Sequence, residues 1–570
     1  MTSGPEARGR ALQWAGVPAA GRWQGVLLAG CAFGALAAAT ARPGVADAQA
    51  FQGTPTVVSG VININRTPNN DQITIDRTNS QTGIIDWAPT DTVGTGTINF
   101  LPSTGTVDFR NTSPGNYTIL NRIFPLNPAR KVAFSGVVRS FDGLTPGGNI
   151  WFYSPAGIVV TGTAVFDVGG LVLTTDNIDV TGGLVGASGE IRFRGPANSL
   201  SDIVINGGAQ ITASRSGSYV AMVAPRVQNA GTITVNGSAA LVAAEQADLT
   251  VNAGLFDIKV LAGTTATVGI DESGQIGGPS STSINDPQNI YLVAVPKNTA
   301  VQMLVSGSLG YQPAVVAGVD NGAVVLSAGY DIVGGATVAT PNGPTTGDIT
   351  IGNGAVTSSL DARATHNITL TPNVGGAFNA SSNVTLWARN SSIAAAPQNA
   401  VIDIGGDLAI IARAPGQGGF AELTTTHPAG VGSSANIHVG GRLSIDAQGL
   451  GLNSLTGAPG SPGTGGTASL QVNLGSVTVG GGVSIDADGF GGDGANGAGA
   501  GTGGQASLIA AGGRLDLGAT DVRARGTGGQ SVPVGGASIG GRVIVDLSEG
   551  PQNETVVASG SLTLLGNNNG

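Results

Sequence analysis

The stretch "VGGRLSIDAQG" from Val439 to Gly449 returns as "VGGGVSIDADG" from Val479 to Gly489, an offset of 40 residues. A second phrase, "GTGGTASLQ" from Gly463, returns as "GTGGQASLI" from Gly501, an offset of 38, and looser copies stand at "IGGDLAII" from Ile404 and "GGRVIVDL" from Gly540. Each copy is a short strand with alternating apolar residues that turn one face inward, bounded by Gly at corners where positive φ is cheap. Strand units returning at fixed spacing imply a solenoid, in which each coil buries a face it cannot bury alone. A spacing near 40 suits two coils of about 20 residues each, so roughly 25 coils at about 4.8 Å would make a stack on the order of 120 Å.

The same phrase runs outward through the chain, in Val57 to Asn65, Ile73 to Asp76, Ile158 to Thr161, Leu171 to Thr174, Ile203 to Ile205 and Ile233 to Asn236. Composition agrees. Of 570 residues 95 are Gly, charged residues are 11% and aromatic residues 4%, whereas ordinary helical or α/β domains carry about 25% charged residues. The 41% apolar share, delivered as Val, Ile, Leu and Ala bursts, argues against disorder. No long helix is expected. The loops from Gly449 to Gly466 and from Gly489 to Gly504 are nearly pure Gly, Ala, Ser, Thr, Asn and Pro, which predicts mobile surface excursions from the shaft.

At the N-terminus Arg8, Arg10 and Arg22 precede an apolar run from Val26 to Ala39, followed by the small-residue stretch ending in Ala48, Gln49 and Ala50. This is a secretory signal peptide with cleavage expected after Ala50. The run is roughly 14 residues, short of the ~20 needed to span a bilayer, and no later segment is longer. Cys31 in Leu28-Ala29-Gly30-Cys31 matches a lipid-attachment box, but the apolar run continues past it, which favours ordinary cleavage. Removal of residues 1 to 50 takes away the one cysteine, and with it disulfides, thiolate metal sites and a Cys nucleophile. Net charge is −10 for the chain. Without residues 1 to 50 there are 21 basic and 33 acidic residues, or −12, which repels phosphate backbones and argues against a nucleic-acid partner.

Residues 149 to 174 read "NIWFYSPAGIVVTGTAVFDVGGLVLT". An aromatic-rich strand, a tight turn, a Val-rich strand and an Asp-Val-Gly-Gly-Leu phrase follow one another here. This resembles the secretion domain of two-partner exoproteins of the filamentous haemagglutinin kind, whose hallmark turn is Asn-Pro-Asn-Gly-Ile. The chain carries Ser154, Pro155, Ala156, Gly157 and Ile158 at those positions. Both Asn are changed, while Pro and Gly keep the turn chemistry. The resemblance continues through Val107-Asp108-Phe109, Asn121-Arg122-Ile123 and "GSYVAMVAPRVQNAGTITVNGSAALVAAEQADLTV" from Gly217 to Val251; Asn127-Pro128-Ala129-Arg130 echoes part of a second motif, Asn-Pro-Asn-Leu. It implies an all-β fold, a right-handed parallel β-helix, divided into a signal peptide (1–50), a secretion domain (51–265) and a β-helical shaft with Gly-rich loops (266–570). It also implies an Omp85-type outer-membrane transporter with periplasmic recognition domains as partner, and secretion to the bacterial cell surface. The turn from Ser154 to Ile158 is the candidate recognition motif. The expected role is that of an adhesin, with a carbohydrate or other cell-surface ligand.

Extracellular β-helices also include polysaccharide-active enzymes, which need paired carboxylates beside a basic partner on one groove. Asp446, Asp486 and Asp488 sit on repeated strands, with Arg442 or Arg514 as partners from a neighbouring strand, but an Asp that recurs with the repeat points to a coil corner. The chain is therefore expected not to be an enzyme. Asp486, Asp488 and Asp493 lack the spacing of known Ca²⁺ loops, and His366, His427 and His438 have no His or Glu at ligand spacing, so neither a metal nor another cofactor is expected. The closing "GNNNG" does not resemble the alternating strands of a membrane barrel.

Overall fold

The structure is a computed structural model. It describes residues 49–319, 322–394, 399–425, 435–455, 457–532 and 534–547, and near the C-terminus 556–558, 560–566 and 568–569. Residues 1–48 of the expected signal segment, including Cys31 and Ala48, and also His427, lie outside the described residues. All described residues belong to the unit Asp47–Gly570.

Every regular element among the described residues is a strand, and the strands of successive coils pair in parallel, giving the right-handed parallel β-helix. One face is a continuous sheet of 14 strands, from Ile98–Leu101 to Arg542–Asp546. At about 4.8 Å per strand it spans about 60 Å. A second face carries Asn149–Tyr153, Gly170–Thr174, Asn289–Ala294, Ser359–Ala364, Leu408–Ile411 and Val483–Asp486. A third carries Val137–Asp142, Gln275–Gly278, Ala377–Ala380 and Ser476–Val479.

The interior follows from register. Leu360, Val384, Leu408, Leu443 and Val483 align as one ladder, and Ala362, Leu386, Ile410, Ile445, Ile485 and Val522 as another. All are buried. In parallel in-register strands each inward aliphatic side chain meets its equivalents above and below, so the core is one continuous column. The stack runs through residues 265 and 266 without a break, Arg226–Asn229 pairing with Val268–Glu272 and that strand with Val301–Val305.

Two expectations about the coil need correction. Leu443 pairs directly with Val483, so the 40-residue return is a single coil. In the middle of the chain Leu360, Val384 and Leu408 are neighbours at 24-residue steps, and the longer coils spend the difference on excursions. The stack is accordingly about half the expected height.

The excursions are themselves built. Gly449–Leu450, Gly489–Phe490 and Gly526–Thr527 lie in one small parallel sheet, and Gly463–Thr464, Gly501–Thr502 and Ser538–Ile539 in another. Outgoing and returning limbs touch backbone to backbone. A Cβ on Gly449 would come within 1.7 Å of the Thr464 carbonyl, on Gly491 within 1.9 Å of Gly499 O, and on Gly499 within 1.9 Å of Ser461 O. The limbs bond within a coil, Gly499 N–H donating to Gly492 O at 2.8 Å, and between coils, Gly460 N–H to Gly497 O at 2.9 Å and Gly463 N–H to Ala500 O at 2.9 Å. The glycines thus serve close packing, and the expected mobile loops are hydrogen-bonded layers.

The N-terminal end of the core is closed by antiparallel strands, Gly53–Ser59 against Thr82–Pro89 and Ile62–Thr67 against Asn70–Ile75. Phe51, Trp87, Phe100, Phe109, Phe134, Phe152 and Phe166 pack beneath them at ring-centroid distances of 4.8–6.5 Å. Ala50 and Phe51, which flank the expected cleavage point, are fully buried.

Candidate functional site

The turn from Ser154 to Ile158 joins the aromatic strand Asn149–Tyr153 to Gly157–Val160 at a corner between two faces. Alternation sends Ile150 and Phe152 into the helical core. Trp151 and Tyr153 point outward, yet they too are buried, because a second layer covers them. That layer is an antiparallel sheet of Asn177–Ile178, Glu190–Arg194, the distal part of Thr232–Asn252, Leu255–Gly263, Ile332–Val333 and Ala336–Thr337. Its apolar face, with Ile191, Phe193, Leu249, Phe256 and Ile258, packs on Trp151, Val172, Ala221, Ala240 and Tyr291. Trp151 Nε1 donates to the Tyr219 hydroxyl at 2.9 Å.

Gly157 holds φ at +148°, and a Cβ there would meet Asp202 O at 2.9 Å and Asp202 Oδ1 and Lys131 Cγ at 3.0 Å. Sterics and the positive φ both select Gly. Lys131 Nζ pairs with Asp202 Oδ1 at 2.6 Å beside it. Ser154 is fully buried, donating its N–H to Thr174 O at 3.1 Å, while its Oγ has no hydrogen-bond partner among the described residues. Pro155 and Ala156 are half-buried and Ile158 is in the core. Most of the motif therefore shapes the corner from inside, with little side chain offered to a partner.

Nearby lies a group that no motif marks in the sequence. Asp176 and Glu245 are both buried. Lys297 Nζ meets Glu245 Oε2 at 2.6 Å, whereas both Asp176 oxygens lack a partner among the described residues. Burial, reinforced by the Glu245 charge, pushes the Asp176 carboxyl well above the usual carboxylate range.

The acidic residues of the repeat have neighbours other than those expected. Asp446 accepts from Gln448 N–H at 3.0 Å and from Arg413 Nε at 2.8 Å; Asp486 accepts from Asp488 N–H at 2.9 Å and from Gln448 Nε2 at 2.8 Å; Asp488 pairs with Arg525 Nη2 at 2.7 Å. The first bond of Asp446 and Asp486 is the same corner in two successive coils, an Asp carboxylate taking the N–H two residues on. Arg442 and Arg514 are not their partners: the Arg442 amide N–H bonds Asp407, and Arg514 lies 3.3 Å from Asp516. Asp493 sits out on the excursion, accepting Gln530 N–H at 2.6 Å. His366 and His438 each meet one Asp, Asp348 at 2.8 Å and Asp403 at 2.7 Å.

No protein-family model matches the sequence, and no curated protein matches it. Among solved structures the chain is similar to the HMW1 secretion domain from Haemophilus influenzae, with a TM-score of 0.37 and 15% identity over 90% of this chain and 99% of that one. It is also similar to the filamentous hemagglutinin secretion domain, with a TM-score of 0.31 and 15% identity over 63% of this chain and 96% of that one. Both are secretion domains of two-partner exoproteins.

Proposed function

We propose that this chain is a secreted surface protein, an adhesin that leaves the periplasm through a dedicated Omp85-type outer-membrane transporter. One observation carries the reading. The stretch that resembles the two-partner motif, Asn149 to Thr174, makes one full turn of the stack, Asn149–Tyr153 pairing with Gly170–Thr174, with its Pro-x-Gly turn at a corner and only the strand Thr118–Ile123 between it and the antiparallel cap strand Thr82–Pro89. A capped parallel helix folds by adding one coil to the next, which suits a chain that emerges progressively from a pore and folds outside. At the repeated corners Asp446 and Asp486 each cap the N–H two residues on and Asp488 pairs with Arg525, which fits the structural role read for them in the repeat. The layered excursions and the long stack serve to hold a surface away from the cell.

The test is co-expression of a signal-bearing fragment ending near residue 265 with and without a cognate outer-membrane transporter, assaying periplasm and medium separately. Transporter-dependent release is expected. Release without any transporter, or retention in the periplasm with it, removes the two-partner assignment.

A further inference from the structure

Where the second face turns toward the 14-stranded face, one outward column runs Arg363, Trp387, Ile411, Asp446, Asp486 in parallel register. Two residues further along each coil stands a second column: Thr365, Arg389, Arg413, Gln448, Asp488. The two columns compensate each other from coil to coil. Arg413 reaches forward to Asp446 of the next coil, and Gln448 reaches forward in the same way to Asp486 at 2.8 Å. For Arg389 the residue at that position is Ile411. Arg389 is exposed, and among the described residues its guanidinium has no acceptor, Asp446 being held by Arg413.

This cation opens on a groove of about 500 Å³ lined by Tyr330, Pro341, Thr365, Trp387, Arg413 and Gln417, with Arg389 itself on its wall. Tyr330 and Trp387 lie nearly parallel, 24° between planes and 6.2 Å between centroids. The Arg363 guanidinium sits 3.6 Å from the Trp387 ring centroid and 5.7 Å from that of Tyr330, and it donates to Val338 O at 3.1 Å. That stack fixes the indole, whose edge remains half-exposed toward the groove. Ionic and apolar surfaces are thus combined on a chain whose net charge is −10. A cation kept without a counter-ion beside rigid aromatics is a recognition element for an anion carried on a partly apolar body. Arg389 and Arg413 stand on successive coils about 4.8 Å apart, so an extended polymer lying along the stack meets both in turn.

We propose that this groove binds an acidic glycan, with its carboxylate or sulfate on Arg389 and the ring it decorates against Trp387 and Pro341. The site gives the adhesin reading a ligand class and rests on that reading for its setting. Binding by the purified chain and export from cells are separate readouts, so either reading can fail without the other.

The experiment is fluorescence titration of the full secreted chain with a hyaluronan hexasaccharide, a heparin-derived hexasaccharide and a neutral dextran hexasaccharide. Trp87 and Trp151 are buried, so Trp387 is the reporter among the described tryptophans, and Trp387→Phe should abolish the signal. Saturable binding of at least one acidic probe is expected, weakened about tenfold by Arg389→Ala and unchanged by Arg442→Ala, an exposed arginine on another corner. Both acidic probes carry uronate and only the heparin one carries sulfate, so binding of both points to the carboxylate and binding of heparin alone to the sulfate. Equal binding of dextran, equal loss in both arginine variants, no loss in Arg389→Ala, or no saturable binding of either acidic probe would each overturn the site. Arg389 is exposed, so unchanged circular dichroism should accompany its replacement.

Discussion

Asn229 donates through Nδ2 to both carboxyl oxygens of Glu272, at 3.0 and 2.9 Å, and Gly274 N–H adds a third bond to Oε1 at 3.0 Å. These bonds favour the ionised form, but burial outweighs them and pushes Glu272 up to about 8 from its ordinary value of 4.5. Between those values the folded chain holds a proton that the unfolded chain releases, so this residue's contribution to stability falls as pH rises through that window. Denaturant titrations at pH 5 and pH 8 should therefore show the parent losing a few kcal/mol relative to Glu272→Gln, at about 1.4 kcal/mol per pH unit. Asp176 acts in the same direction. Identical pH profiles for parent and variant would mean that Glu272 is ionised in the fold.

The Gly-rich layers make a sharp pair of substitutions available. At Gly491 a Cβ would stand 1.9 Å from Gly499 O, whereas at Gly535 nothing lies within 4 Å. Gly491→Ala must push two backbone limbs apart and should cost about 1–3 kcal/mol locally, read as faster amide exchange at Gly499 and Gly529, whose N–H groups bond Gly492 O and Gly499 O. Gly535→Ala should stay within about 0.5 kcal/mol of the parent. Equal exchange in the two variants would restore the picture of loose loops.

The alternation that marks Leu443 and Ile445, and again Val483 and Ile485, as inward was legible because period two survives in any sheet; all four are buried in the core. The corner at Gly157 was legible because few residues tolerate its φ. Coil length was not. Repeat spacing cannot say whether copies are first or second neighbours, and here Leu443 beside Val483 makes them first. The outer layer was hidden because the 21 residues of Thr232–Asn252 form one unbroken strand with no turn residue to mark where it leaves the stack and pairs antiparallel from Ala244 onward. Glycine-rich text reads as flexibility when the missing Cβ is counted as entropy alone, yet Gly499 is fixed by contact. The groove at Arg389 depends on which coil lies next to it, and the irregular steps of 24 and 35 residues on either side of Leu408 conceal that register in the sequence.

Ile485 sits between Ile445 and Val522 in a column of aliphatic side chains and is fully buried. Ile485→Asp places an unpaired carboxylate there, costing about 3–5 kcal/mol and opening the stack at that coil, since each coil is held chiefly by its neighbours. Limited proteolysis should cut near Leu443–Asp446 and Thr520–Arg523 first, leaving the N-terminal coils intact. Unchanged resistance would place Ile485 on a solvent face.

The turn at residues 154–158 separates a structural role from a contact role. Gly157→Val adds a β-branched side chain at φ +148°, against Asp202 and Lys131 at 2.9–3.0 Å. The strain should cost about 1–3 kcal/mol and loosen the Lys131–Asp202 pair, which bridges the two coils on either side of Gly157. Export through the partner transporter should fall together with thermal stability. Ala156 is only half-buried, so Ala156→Asn, which restores the family residue, should leave both unchanged. If Ala156→Asn alters export while stability holds, the turn is touched directly by the transporter. If Gly157→Val is exported and as stable as the parent, the corner does not depend on glycine, and the pivot assigned to it is lost.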